Sequence, residues 1–278
     1  MINKFLKEIK TDKGFFISIF SLTKKKKQHK ISFVVEVTWQ KNWPLLKERL
    51  SGFPMPASSQ KSLKLFWQKL VEDALTYGFI GEADFHILFW RHIADSILPL
   101  TLEPIQEIFL RSKTFADLGS GAGLPVVPLA ILFPEKIFYS VEAMQKRIKF
   151  QQEVQSLISL QNVILQNSRV EETINHPVDV VLFRAFLKPL VSLELTLYWL
   201  KQNGKVLYWR SKPWEKDNQF AKTRVKDLGF RLLKRESYSL QNEGEVRGIE
   251  IYELKQQSKQ YPRSWKKIKK EKQIFEIG

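Results

Sequence analysis

Between a short apolar run and an apolar helical pattern lies Phe115-Ala-Asp-Leu-Gly-Ser-Gly-Ala-Gly-Leu-Pro125, and no other stretch constrains the chain as much. Three glycines at alternate positions, Gly119, Gly121 and Gly123, supply a turn that can take positive φ and let another molecule approach the backbone closely. A turn of this kind between a strand and a helix lies where the ligands of open α/β sheets bind. The spacing is GxGxG rather than the GxGxxG of dinucleotide folds, because Leu124 follows the third glycine. A pyrophosphate wants the bare N-terminus of the helix, and Leu124-Pro125 offers an apolar side chain and a missing donor instead. The pattern suits adenosine carrying a methionine tail, as in S-adenosylmethionine, better than a diphosphate.

The rest of the chain fits around that turn. Apolar residues predict strands at Thr114–Leu118, Ile137–Val141, Val163–Gln166, Val178–Phe183, Lys205–Trp209, Phe230–Tyr238 and Gly248–Leu254. Helical patterns at Val126–Phe133, Gln145–Ile158, Leu187–Leu200 and Glu215–Asp227 fall between them, which implies βαβ units and a mainly parallel sheet. The last two strands have no helix between them and should pair as an antiparallel hairpin. Upstream, Lys61–Tyr77 and Asp84–Leu98 carry apolar residues at helical spacing and, with Leu102–Leu110, form a helical lead-in. Residues 1–59 read as a basic N-terminal extension ending in the Pro/Gly/Ser-rich linker Ser51-Gly-Phe-Pro-Met-Pro-Ala-Ser-Ser59, with a β-branched strand at Ile31–Thr38. The folded protein is then expected to begin near Gln60, with the lead-in at 60–112, a ligand-binding α/β domain at 113–255 and a basic tail at 256–278.

Three further features gather at the ends of these strands. Glu142 follows the second strand, 19 residues after Gly123, where a carboxylate can accept hydrogen bonds from the ribose hydroxyls of an adenosine. Asn167-Ser-Arg-Val-Glu171 follows the third strand, and the backbone at Val170 and Glu171 is a candidate contact for the adenine. The buried-looking strand Asp179-Val-Val-Leu-Phe-Arg184 delivers an arginine to the same edge. An arginine there needs a partner: a substrate phosphate, the carboxylate of the ligand, or an acid of the chain such as Glu171. His92, on a helix with many apolar neighbours, reads as a packed structural histidine.

Absences narrow the chemistry. With no cysteine there is no thiolate nucleophile, disulfide or cysteine metal site, and no metal is implied. No Asn/Asp-Pro-Pro-Tyr/Phe follows the fourth strand to hold an exocyclic amine. A ring nitrogen with an available lone pair, such as N7 of guanine, needs neither device, and its methylation rests mainly on positioning. No run approaches the length of a membrane span, and Gly14–Leu22 precedes rather than follows Lys24–Lys27, so no targeting segment is read. A cytoplasmic monomer is expected. The formal charge of +16 sits at the ends: 12 basic and 4 acidic residues in 1–60, 8 basic and 2 acidic in 255–278. That distribution favours a polyanionic partner over a plain solvated tail.

At these residues the chain resembles the RsmG (GidB) family of bacterial 16S rRNA guanine-N7 methyltransferases, from about Leu63 to Arg263. Arg91-His-Ile-Ala-Asp-Ser-Ile97, Asp117-Leu-Gly-Ser-Gly-Ala-Gly-Leu-Pro125, Pro128-Leu-Ala-Ile131, Lys146-Arg147 with Phe150, Ser168-Arg-Val-Glu-Glu172, Arg184-Ala-Phe186 and Tyr261-Pro-Arg263 carry the likeness. It implies a Rossmann-like class I methyltransferase sheet, S-adenosylmethionine as cofactor and the small ribosomal subunit as partner. Cofactor contacts would fall on Gly119, Leu124, Val170, Glu171 and Arg184. The chain departs from the family at Gly78-Phe-Ile80, Val126-Val127, Gln145 and Tyr208-Trp-Arg-Ser-Lys212. Two alternatives stay open: methylation of another nucleic acid or a small molecule, and a non-catalytic RNA-binding factor on the same fold.

Overall fold

The computed structural model describes residues 24–74, 84–172, 177–211, 219–241, 245–257 and 260–271. In chain order the helical lead-in comprises α1 (Lys24–Arg49), α2 (Ser59–Lys69), α3 (Phe85–Leu88) and α4 (Glu103–Arg111). Both α2 and α3 widen into π turns, at Leu70–Ala74 and Phe89–Ala94, and α3 resumes over Asp95–Ile97. Asp84 starts α3 by accepting the backbone N–H groups of His86 and Ile87 at 2.7 and 3.0 Å, the usual capping role of a short carboxylate.

The sheet follows: β1 (Thr114–Leu118), α5 (Val126–Leu132), β2 (Ile137–Val141), α6 (Gln145–Ile158), β3 (Val163–Gln166), β4 (Val178–Arg184), α7 (Pro189–Thr196), β5 (Leu200–Arg210), α8 (Gln219–Asp227), β6 (Phe230–Ser239), β7 (Val246–Leu254) and α9 (Trp265–Lys270). Strand order is β3-β2-β1-β4-β5-β7-β6. The first five strands are parallel to one another, and β7 inserts antiparallel between β5 and β6 as the expected hairpin. The order reverses between β1 and β4, which is the switch point where a ligand of such a sheet sits.

Alternation along the strands sorts side chains to two faces. Phe115, Phe138, Val180, Leu182, Leu207 and Trp209 join a core with α1 to α6. Ala116, Leu118, Val141, Val181, Phe183 and Tyr208 join a second core with α7 and α9. Parity therefore turns Asp117 and Arg184 towards the lead-in layer, a consequence that the sequence pattern does not announce.

The N-terminal region corrects the sequence reading. Ile31–Thr38 is not a strand: it lies inside the 26-residue α1, whose first turn includes Lys24–Lys27. The buried positions Val34, Val35, Thr38, Trp39, Asn42, Trp43, Leu46 and Leu50 repeat every three or four residues, a helical stripe that the β-branched content disguised. Trp39 and Trp43, one turn apart, stack at 4.8 Å, and Trp39 meets Phe89 edge-on at 5.7 Å. Buried Asn42 accepts from Trp90 Nε1 at 3.0 Å. The linker is also packed, with Phe53 and Met55 against the core and Ser59 buried. Folded structure therefore begins well before Gln60. Gly78-Phe-Ile80 and Lys212 lie outside the described residues.

Candidate functional site

The glycine turn is closed onto the end of β2. The N–H groups of Gly119 and Ser120 donate to the Val141 carbonyl at 2.9 and 3.2 Å. The N–H of Gly121 donates to Glu142 Oε2 at 3.0 Å. Glu142 Oε1 accepts the N–H of Met144 at 2.8 Å, and Arg147 Nη1 stands 3.3 Å from Oε2. The carboxylate is thus fixed by two backbone donors and one cation, and it is almost wholly buried. Beneath the turn, Ser120, Ser140 and Gln151 form a closed buried triad: Ser140 Oγ donates to Gln151 Oε1 at 2.6 Å, and Gln151 Nε2 reaches Ser120 Oγ at 3.0 Å and the Gly121 carbonyl at 2.8 Å. Neither Gln151 nor Ser140 was singled out by sequence reasoning, since a glutamine mid-helix carries no motif.

The glycines are not equivalent. All three have positive φ, +78° at Gly119, +59° at Gly121 and +83° at Gly123. A Cβ on Gly119 would stand 2.0 Å from the Phe186 ring, and one on Gly123 would stand 2.7 Å from Val127 Cγ2. A Cβ on Gly121 would meet nothing nearer than Arg147 Nη1 at 3.9 Å. Two glycines therefore serve close packing within the protein, whereas Gly121 faces open space beside Glu142. Leu124 packs partly into the lead-in core.

Asn167 ties the end of β3 to this edge, donating to the carbonyls of Glu142 and Ala143 at 3.0 and 3.1 Å. Val170 follows with its side chain buried in the second core and its carbonyl accepting from Trp199 Nε1 at 3.0 Å. Glu171 is partly exposed, with Arg169 Nη1 3.9 Å from its Oε1.

Arg184 has taken the internal option. Its Nε pairs with Asp95 Oδ2 at 3.1 Å, Nη1 donates to Ser96 Oγ at 3.0 Å and to the His92 carbonyl at 3.3 Å, and Nη2 donates to the Arg91 carbonyl. Its acid partner is Asp95 of the lead-in, not Glu171. Asp95 also accepts from Tyr238 Oη at 2.7 Å, and its backbone carbonyl accepts from Trp209 Nε1 at 2.9 Å. The Asp95 carboxylate thus joins the lead-in to β4 and β6, and its backbone carbonyl joins it to β5. Desolvation, with Arg184 alongside, lowers the His92 pKa to about 3, so this imidazole is neutral at physiological pH and acts as packing. Asp117 is fully buried, with one hydrogen bond from the Val126 N–H at 3.3 Å, and burial pushes its carboxyl well above the usual range.

No described helix is long and apolar enough to cross a membrane, and no cluster of three metal-ligating side chains occurs among the described residues. A sheet of this order, with a glycine turn after its central strand hydrogen-bonded to a carboxylate after the next, defines an S-adenosylmethionine-dependent methyltransferase of the Rossmann-like class. Residues 59–243 match the family model of rRNA small subunit methyltransferase G, GidB, and the chain belongs to that family. The Ribosomal RNA small subunit methyltransferase G of Lactococcus lactis subsp. lactis (strain IL1403) is 29% identical over 209 residues, 73% of this chain and 86% of its own. The protein of the same name from Staphylococcus epidermidis is 29% identical over 225 residues, 78% of this chain and 92% of its own. Among solved structures, a SAM dependent methyltransferase from Aquifex aeolicus aligns over 55% of this chain and 88% of its own, at 20% identity and a TM-score of 0.43.

Proposed function

We propose that the protein methylates N7 of a guanine in 16S rRNA of the small ribosomal subunit, as a cytoplasmic monomer. The observation that carries this reading is the Gly121-to-Glu142 hydrogen bond at the one glycine of the turn whose Cβ direction is open. The residues fit S-adenosylmethionine. Three protein hydrogen-bond donors hold Glu142, two on Oε2 and one on Oε1, so a lone pair on Oε1 remains for a ribose hydroxyl. Arg147, at 3.3 Å, makes the longest of the three contacts and is the one a second hydroxyl would displace. Gly119, Gly121, Gly123 and Leu124 form the floor, and Val170 and Glu171 flank the adenine. Arg184 acts as a positioning residue, through Asp95, rather than as an acid or base.

The bound cofactor supplies an electrophilic methyl on a sulfonium. N7 needs no deprotonation, so the protein's task is alignment: the rigid turn fixes one reactant and the edge of β4 and β5 presents the other. With the cofactor held by Gly121 and Glu142, N7 would take that methyl group without losing a proton, so no general base is asked of the chain. Borohydride reduction and aniline cleavage of small-subunit rRNA from a deletion strain tests the reading. One cleavage signal should vanish, return with the wild-type gene, and stay absent with a Gly121→Asp copy. An unchanged pattern would move the methyl acceptor elsewhere.

A further inference from the structure

The described part of the basic C-terminal tail, 260–271, is not a loose solubility device. It is pinned to the fold by a buried acid. Glu194, in the middle of α7 and fully buried, accepts the Arg263 N–H and Nε at 3.0 and 2.8 Å through Oε1, and Arg263 Nη2 at 2.7 Å through Oε2. Arg224 of α8 reaches the same Oε2 at 3.3 Å, and Glu271 at the end of α9 closes the knot with Arg263 at 2.5 Å and Arg224 at 3.4 Å. The ring of Tyr261 lies between the two guanidiniums, 4.8 Å from Arg224 and 5.5 Å from Arg263. Just beyond, Ile268 is buried in the second core.

What this anchor holds in place is Trp265-Lys-Lys-Ile-Lys-Lys270, a helix with four exposed lysines. The nearby acids, Glu194 and Glu271, are both committed to arginines. Lys266, Lys267, Lys269 and Lys270 make no ion pair among the described residues, and Lys269 lies only over the Trp265 ring at 5.2 Å. Like charges three and four residues apart oppose helix formation, and ordering the segment costs conformational entropy. A fold that fixes such a helix with a four-membered ion network, rather than leaving it loose, holds a preorganised cationic surface. The buried Ile268 turns the helix's apolar side inward, so no apolar face remains to enter a lipid surface.

We propose that the outer face of α9 is a docking surface for the phosphate backbone of structured RNA, holding the substrate while the glycine turn aligns the methyl donor. This rests on the rRNA reading above for the identity of the polyanion. The test uses the full chain with K266Q/K267Q/K269Q/K270Q, small subunits from the deletion strain and tritiated S-adenosylmethionine, over a range of KCl concentrations. Each released phosphate contact contributes roughly 0.7 to 0.9 to the slope of log affinity against log salt. The variant is expected to show a KM for subunits raised about tenfold or more at moderate salt and a slope shallower by about 2 to 4. Its kcat and cofactor affinity should match wild type, and its melting temperature should not fall, since the substitutions relieve repulsion along the helix. An unchanged KM and slope overturn the proposal, as does loss of binding to phosphatidylglycerol vesicles with RNA binding intact. A second variant, Glu194→Gln, loosens the anchor without removing a lysine; it should raise KM, and subunit KM at the wild-type value would argue that preorganisation is irrelevant. If wild type binds subunits with the steep slope, and the variant does not, but neither methylates them, the surface stands and the methyl-acceptor reading fails instead.

Discussion

Alanine at Gly121 separates folding from ligand binding more cleanly than any other change to the turn. The residue sits at φ +59° with open space where a Cβ would go. The folded protein therefore loses only backbone comfort, about 1–2 kcal/mol for an L-residue in the left-handed region. A less flexible unfolded chain offsets about 0.4–1 kcal/mol of that. The net cost of about 1 kcal/mol lowers the melting temperature by roughly 2–4 °C in a protein of this size. The new methyl group points into the space beside Glu142, where the proposed function puts the ribose. A misfit there of about 1–3 kcal/mol raises the dissociation constant for S-adenosylmethionine about 5- to 150-fold. Gly119→Ala supplies the contrast. Its Cβ would stand 2.0 Å from a Phe186 ring that stacks on Phe183 at 5.6 Å, so strain and overpacking together cost about 2–5 kcal/mol. Calorimetry for binding and thermal denaturation for stability check both. Wild-type cofactor affinity in a folded Gly121→Ala protein would refute the assignment of this edge as the cofactor site.

Other perturbations test the surrounding shell. Arg184→Met leaves the Asp95 carboxylate buried without its main cation and should cost about 3–5 kcal/mol in urea unfolding; a loss under about 1 kcal/mol would mean that the tether does not hold the lead-in. Burial raises the Asp117 carboxyl above its usual range in the fold, whereas the unfolded chain ionises near pH ~3.9. Its contribution to stability is therefore greatest below that pH and shrinks as pH rises towards the raised folded value. Asp117→Asn should gain on wild type as pH climbs above the unfolded value of ~3.9, and parallel pH profiles would contradict this. His92 has the opposite slope. It stays neutral in the fold down to about 3, so its contribution is present above the unfolded value of ~6.5 and is lost as pH falls through that window; His92→Gln should flatten the acid limb of the stability profile. Trp43→Ala, which removes a buried ring stacked on Trp39, should destabilise by about 3–5 kcal/mol. A near-neutral result would return α1 to the status of an appended arm.

The pairing of the glycine turn with Glu142 was legible because it is local. Three glycines, a strand before them and an acid 19 residues on lie within one βα unit, so spacing along the chain maps directly onto spacing in the fold. What sequence could not supply is contact made across the layers. Arg184 looked equally able to meet a ligand or an acid, and strand parity decides it: with Val180 and Leu182 facing the lead-in core, the guanidinium must face α3, where Asp95 lies 89 positions upstream. The α1 stripe failed for another reason. Val, Ile and Thr between lysines carry strand propensity, but the propensity is weak and tertiary burial of Trp39, Trp43 and Leu46 overrides it.

The same distinction bears on the tail. Charge counting marked residues 255–278 as an excess of cations, and no count can tell a solvated tail from a fixed surface. The difference lies in Glu194, an ordinary glutamate within a helix by sequence and a fully buried acid in the fold. A buried carboxylate is tolerated only when its hydrogen bonds are met, and here those donors come from Arg263 and Arg224 rather than from solvent. Removing the tail would leave that charge, buried in α7 beside the second core, with Arg224 at 3.3 Å in place of the three closer Arg263 donors. The tail is therefore energetically part of the methyltransferase sheet, and truncation after Leu254 should destabilise the protein as a whole instead of merely weakening its hold on RNA.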